Sequence, residues 1–364
     1  MKRLVFAAAA VLLLSVPAYA LDVVAEEAEI LGTDTLVQAL DGDAAAQMDG
    51  LSPAKRSDFG HELWRLVTNA ISGSGNDLRQ AAGTAAKLLS AVILCAFVGS
   101  MDTGISKNAV IWAGVLAMTV IFSSELSGLR SEAEQTLHRI ADFTALLLPV
   151  LSSALAASGG ISASAALYTG ANLFLSVLTA VVRSVLLPLV GIYVLLCAAE
   201  CVAGEGRLSK LQELMGWFSS MLLKAVVYLF TAYLAVTGLL SGSADTMTAK
   251  AAKTALSGAV PVVGSILSEA SDAILAGAGV LKATTGIFGM LSILAICLAP
   301  FVRLAIHYLI LRLTAAVCAA VGEAAHARLL SGFTAAMGLL LAMTGAALIM
   351  ALVSVCCFMK AVTP

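Results

Sequence analysis

Seven ionisable residues stand inside long apolar runs of this chain: Arg183, Glu200, Lys224, Arg303, His307, Arg312 and Glu323. A charge near the centre of a bilayer costs at least about 2.5 to 3.5 kcal/mol on insertion scales, so such residues mark one of two things. They form a polar pathway of paired charges, or they sit at span ends where long side chains reach water. Arg303 and His307, four apart, share one helix face, and Glu200 or Glu323 is placed to neutralise a base on a neighbouring helix. Glu200 with Lys224 is the pair to test first. Cys197 and Cys201 flank Glu200 on one helical face, which suits a soft metal, although small polarizable core residues are the commoner explanation. The four histidines, His61, His138, His307 and His326, never take the H-E-x-x-H spacing of a zinc protease. Neither G-x-S-x-G nor G-x-x-x-x-G-K-[ST] occurs, and the dipeptide Gly-Lys is absent. No catalytic residue, cofactor or metal is expected, and any nucleotide hydrolysis would come from a partner.

The elements that must position these residues follow from composition. The apolar set makes up 60% of the 364 residues and charged residues only 12%, where soluble chains run at roughly 45 to 50% and about 25%. With a mean hydropathy of +0.97, the chain has too little polar surface for a water-soluble fold. The expectation is an all-α, polytopic membrane protein in a lipid bilayer. The apolar runs are too long and unbroken for the alternating strands of a transmembrane barrel. Aromatics are only 6%. Small residues such as Gly286, Gly289, Gly338, Ala342 and Gly345 recur near helical spacing, which favours close helix packing within the chain or between chains. Residues 21–83 hold 11 acidic and 4 basic side chains, residues 84–364 hold 12 and 15, and no basic surface for nucleic acid is present. All seven cysteines lie in apolar stretches, so no disulfide framework is implied.

Along the chain, Lys2 and Arg3, an apolar run and Ala18-Tyr19-Ala20 make residues 1–20 a signal peptide cleaved after Ala20, the alternative being an uncleaved anchor. Residues 21–83 are then an extracytoplasmic acidic head. Within it, 57–71 reads as a short amphipathic helix with Phe59, Leu63, Leu66, Val67 and Ile71 on one face beside Trp64. Residues 84–125 form a hairpin of spans around Asp102 and Lys107. After the polar stretch 125–142, the short piece 143–158 with Pro149 suits a re-entrant or interfacial helix. Two spans are expected in 164–203, broken at Arg183 and Pro188, one in 217–240, two in 284–322 broken at Pro300, and one in 333–358. The total is about eight, within seven to nine, with amphipathic residues 244–283 between. Pro149 to Pro188 and Pro261 to Pro300 are both 39 residues, at an offset of 112. That pattern suggests two membrane units, 126–240 and 241–364, in inverted repeat, against coincidence in a low-complexity sequence. Pro149, Pro188, Pro261, Gly264 and Pro300 are its candidate hinge or re-entrant positions.

Three segments carry a resemblance. Leu148-Pro149-Val150-Leu151 with Gly159-Gly160, Val260-Pro261-Val262-Val263-Gly264 with Leu267-Ser268, and Ala299-Pro300-Phe301-Val302-Arg303-Leu304 follow the exported head and first hairpin. Together they resemble the stage III sporulation protein AE family over about residues 60–360. A proline expected near 321–323 is replaced by Gly322, which bears on the local turn. The resemblance implies a multi-pass subunit of the sporulation channel or secretion apparatus joining mother cell and forespore, in the outer forespore membrane. Its implied role is permease-like or that of an export platform. The implied partners are other membrane subunits of the channel, a separate secretion-type ATPase and ring proteins of the intermembrane space. The alternative is an autonomous secondary transporter, which the inverted repeat and the buried charges suggest.

Overall fold

The computed structural model describes residues 34–40, 42–48, 51–52, 58–101, 106–204, 206, 208–259, 264–321 and 323–361, with 34, 43, 237–259, 264–278 and 321 described by backbone alone. The expected signal peptide, Asp102 and Pro261 lie outside the described residues. Ten α-helices and one π-helical turn are present among those described: α1 (Asp34–Gln38), α2 (Gly42–Gln47), α3 (Phe59–Gly73), α4 (Gly75–Ser100), α5 (Lys107–Ala157), α6 (Ile161–Val181), the π-turn (Val182–Leu186), α7 (Leu187–Ala203), α8 (Ser209–Ala259), α9 (Gly264–Val321) and α10 (Ala324–Lys360). No strand occurs among them. The protein is an all-α polytopic membrane protein, with six helical rods long and apolar enough to cross a bilayer, α6 to α7 counting as one.

Several turns expected from the sequence are absent. Residues 143–158 do not form a separate re-entrant piece; they continue α5, with Pro149 inside the helix. Residues 164–203 are not two spans but one rod, and the same holds for 284–322, where Pro300 lies inside α9. The physical reason is that an apolar surrounding offers the backbone no other hydrogen-bond partners, so a helix persists through proline where one missing N–H can be absorbed locally. At Pro188 the absorption is visible as the π-turn, which the Leu187 N–H closes onto the Val182 carbonyl. Eight expected spans thereby become six rods. The amphipathic 244–283 is likewise the end of α8 and the start of α9, with Gly264 as the first residue of α9. At the offset of 112, the π-turn before Pro188 meets Pro300 in an unbroken helix, and Pro149 meets the undescribed Pro261.

Specific contacts fix the neighbours. Phe122 of α5 stacks on Phe333 of α10 at 4.1 Å. Cys201 of α7 donates to the Ala325 carbonyl of α10 at 3.3 Å, and Phe174 of α6 meets Phe230 of α8 edge-on at 5.7 Å. The close-packing glycines work within the chain: Gly286 admits Met359, Gly289 admits Leu147, and Gly338 and Gly345 face Tyr308 and Phe301. Buried Lys282 donates to the Ala361 carbonyl at 2.7 Å, closing the far end of the α9–α10 pair.

The head packs on the chain's own rods. Asp58 caps α3 by accepting from the Gly60 N–H at 3.1 Å, and Leu66 and Ala70 are buried, with α3 lying along α9. Ile71, expected on one face with Leu66, is 60% exposed, and Trp64 is exposed too. The reason is that Leu66 and Ala70 set the buried face, and Ile71, five residues after Leu66, falls about 140° round the helix from it.

At 1.5 Å per residue, the 51 residues of α5 make a rod of about 75 Å, and the 37 of α10 one of about 55 Å. A bilayer's hydrocarbon core is about 30 Å thick. The rods are therefore long enough to carry two apolar levels with something between them, and residues 125–142 of α5 supply it.

Candidate functional site

Halfway along α5, three stripes of polar side chains meet. Asp77, Gln80 and Thr84 lie on one face of the first turns of α4, Glu125 and Glu132 are seven apart on α5, and Arg303 and His307 are four apart on α9. Arg303 is the hub. Its Nη1 faces Glu132 Oε2 at 3.1 Å, its Nη2 donates to Gln80 Oε1 at 3.1 Å, and its Nε stands 3.5 Å from Asp77 Oδ1, an ion-pair distance longer than a hydrogen bond. Gln80 Nε2 donates onward to Glu125 Oε1 at 2.9 Å, and the Thr84 hydroxyl donates to Glu125 Oε2 at 3.2 Å. His307 is buried between them, with Nδ1 2.9 Å from the Arg303 carbonyl and Nε2 3.0 Å from Glu125 Oε1. A carbonyl only accepts, so Nδ1 carries a proton. The His307–Glu125 contact thus lies inside a network of three carboxyl groups, one guanidinium and one imidazole. On the other side of α5, Arg183 Nε pairs with Glu134 Oε1 at 3.1 Å, at the rim of the same belt.

Residues 51–361 match the protein family described as stage III sporulation protein AE, which takes in every residue of this belt. The chain belongs to that family. It is similar to stage III sporulation protein AE of Bacillus subtilis (strain 168), at 25% identity over 191 residues, covering 52% of this chain and 48% of that one. The match thus spans about half the length of that curated relative. No solved structure matches the chain.

In this member of the stage III sporulation protein AE family, Arg303 and His307 are brought together as their spacing predicts, and Arg183 finds an acid. Glu200 and Lys224 are not paired. Glu200 is buried and its Oε2 accepts from the Leu208 N–H at 2.6 Å, closing the turn between α7 and α8. Lys224 is exposed and lines an apolar groove of about 680 Å³ with Tyr228, Phe301, Tyr308, Ala342 and Gly345. Among the described residues Arg312 reaches Tyr308 on its own helix, donating to the hydroxyl at 2.8 Å. Glu323 is the N-cap of α10, its carbonyl accepting from the His326 and Ala327 amides. Among the described residues no cluster of three His, Cys, Asp or Glu side chains suits a metal ion. Cys197 packs against Gly332, where a Cβ would lie 2.5 Å from its sulfur.

The acids of the belt escape a reading of the sequence. Asp77 falls in the head and 125–142 reads as a polar connector, so neither draws attention as membrane-depth chemistry. The available signal is the seven-residue step from Glu125 to Glu132, which puts both on one face of a helix that the structure shows to be continuous.

Proposed function

We propose that this chain is a non-enzymatic, permease-like subunit of the export platform in the sporulation apparatus that joins mother cell and forespore, seated in the outer forespore membrane. One observation carries the reading: the rods expose apolar side chains on both sides of the charged belt. Leu94, Phe97, Leu116 and Val120 are exposed on one side, Leu146, Tyr168, Leu173 and Val177 on the other. Hydrocarbon about 30 Å thick covers one such level, and stretching over both would mean a mismatch far beyond what tilt absorbs. The remaining apolar level calls for cover by protein, which suits a subunit among subunits and not a lone transporter. The partners proposed are the other membrane subunits, a separate secretion-type ATPase as energy source, and ring proteins of the intermembrane space. Family membership supports the sporulation setting.

The test is a mild-detergent pull-down of the tagged chain from sporulating cells, with bound proteins identified by mass spectrometry. Recovery of a secretion-type ATPase and ring proteins is the expected result. Recovery of the chain alone, with substrate flux after reconstitution into liposomes, would overturn it in favour of an autonomous transporter.

A further inference from the structure

On the side of α9 away from the belt, a groove of about 680 Å³ runs between α8, α9 and α10. Phe301 and Tyr308, seven residues apart, form one wall of it. At about 100° per residue they point the other way from Arg303 and His307, which lie between them in the helix. The groove is therefore at the height of the belt. Gly338, Ala342 and Gly345, at steps of four and three on one face of α10, make a floor low enough for another backbone to come close. Lys224 and Tyr228 of α8 close the other side. None of the described residues lining the groove is acidic, and Lys224, the one charge among them, makes no hydrogen bond or ion pair with a described residue. Arg312, about one turn beyond Tyr308, donates to the Tyr308 hydroxyl, so the edge carries a second positive charge.

Lys224 is the only charge between Glu213 and Asp245. An ammonium inside such a run is costly unless a carboxylate meets it, and this chain brings none to the groove. Exposed apolar side chains continue the groove in both directions. Trp217 and Met221 precede Lys224 on the same face of α8, and Tyr228 and Ile349 of α10 lie on its other side. What fits there is apolar at both ends and anionic in the middle. A phospholipid carries its charge at one end, and an acyl chain brings no charge at all. A helix with an acidic residue halfway along an apolar run has the required order. A second copy of this chain does not supply it: its helix of that pattern is α5, which α4, α6, α7, α9 and α10 enclose.

We propose that this groove seats a transmembrane helix of another subunit, one with an aspartate or glutamate midway along an apolar run, whose carboxylate pairs with Lys224 while its backbone lies on Gly338, Ala342 and Gly345. The inference rests on the reading of this chain as one subunit among several. The test places a photocrosslinking amino acid at Ala342, exposed on the groove floor, in the full chain in sporulating cells, and sequences the crosslinked peptides by mass spectrometry. The expected product is one apolar segment of a different protein with an acidic residue within about one turn of the crosslink. Lys224→Glu lowers the yield of that product by about tenfold or more, the loss of one close charge pair and its replacement by repulsion. Lysine in place of the partner's acid restores it in the Lys224→Glu chain. The same label at Ile192, exposed on α7, gives unchanged products with Lys224→Glu, which reports that the variant is folded and in its membrane. A segment without an acidic residue, failure of the swapped pair to restore the crosslink, a phospholipid adduct, or a peptide of this chain itself at Ala342 each overturns the assignment. If the pull-down described above recovers partners and Ala342 crosslinks to none of them, the groove assignment falls and the subunit reading stands; if the pull-down recovers the chain alone, both fall.

Discussion

His307 in the belt and His326 at the start of α10 are equally buried, at 2% and 1% exposure, yet His307 has an oxygen at each ring nitrogen and His326 has none. Burial of a polar ring is costly in both places, and only in the first does the chain itself offset it. The belt is therefore an internal joint that locks α4, α5 and α9 in register. At His326 the ring nitrogens are closed off by Gly114, Cys95 and the Ile111 backbone, and the cost of burying them is left standing. Apolar packing surrounds both, so the difference lies in which polar side chains the neighbouring helices bring to the same height.

Substitutions that break the belt and spare the surroundings of His326, or the reverse, test that contrast. Arg303→Met has the largest expected effect: it strands Glu132 and Asp77 opposite an apolar side chain and destabilises by about 3 kcal/mol, the lower end for a buried pair because these side chains keep some exposure. Thermal unfolding in detergent reads it, and an unchanged midpoint would remove the belt's structural role. Gly114→Ala strikes the other region, forcing a methyl between His326 and Cys95, and a loss of about 2 kcal/mol is expected in the same unfolding assay. Thr84→Val deletes one donor to Glu125, for which a loss of about 1 kcal/mol is expected in the same unfolding assay. Glu134→Gln frees Arg183, whose side chain is 65% exposed; a shift of less than about 0.5 kcal/mol is expected, and a larger one would mean that the rim pair belongs to the joint.

Only the basic side of the belt is legible in the sequence. Arg303 and His307 stand out because charge is rare in an apolar run and a four-residue step fixes a shared face. Their acidic partners do not, since Asp77, Glu125 and Glu132 sit in stretches polar enough to pass for connectors. Glu200 and Lys224 show the opposite error: both are as conspicuous as Arg303, but one serves a turn and the other a groove. A lone charge announces that it needs a partner without naming it. The prolines mislead for a related reason. Pro149 and Pro300 weaken a helix locally, and whether the chain turns there depends on whether anything outside the helix can take up the freed backbone groups.

The sequence by itself determined the class: with 60% apolar residues and 12% charged, every long run must bury its backbone in helices, and no reading of the residues leads to a soluble or strand-built protein. It also determined which faces carry charge, since helical spacing is set by the backbone alone. Only the tertiary structure decided that the runs join into rods twice as long as a bilayer is thick, that α9 runs beside α4 and α5 so that Arg303 meets Asp77 and Glu132, and that His326 is left without a partner. Those outcomes depend on the relative height of side chains more than 170 residues apart in the chain, and helix spacing carries no information about height across such a distance. It is set by how side chains such as Phe122 and Phe333 fit together.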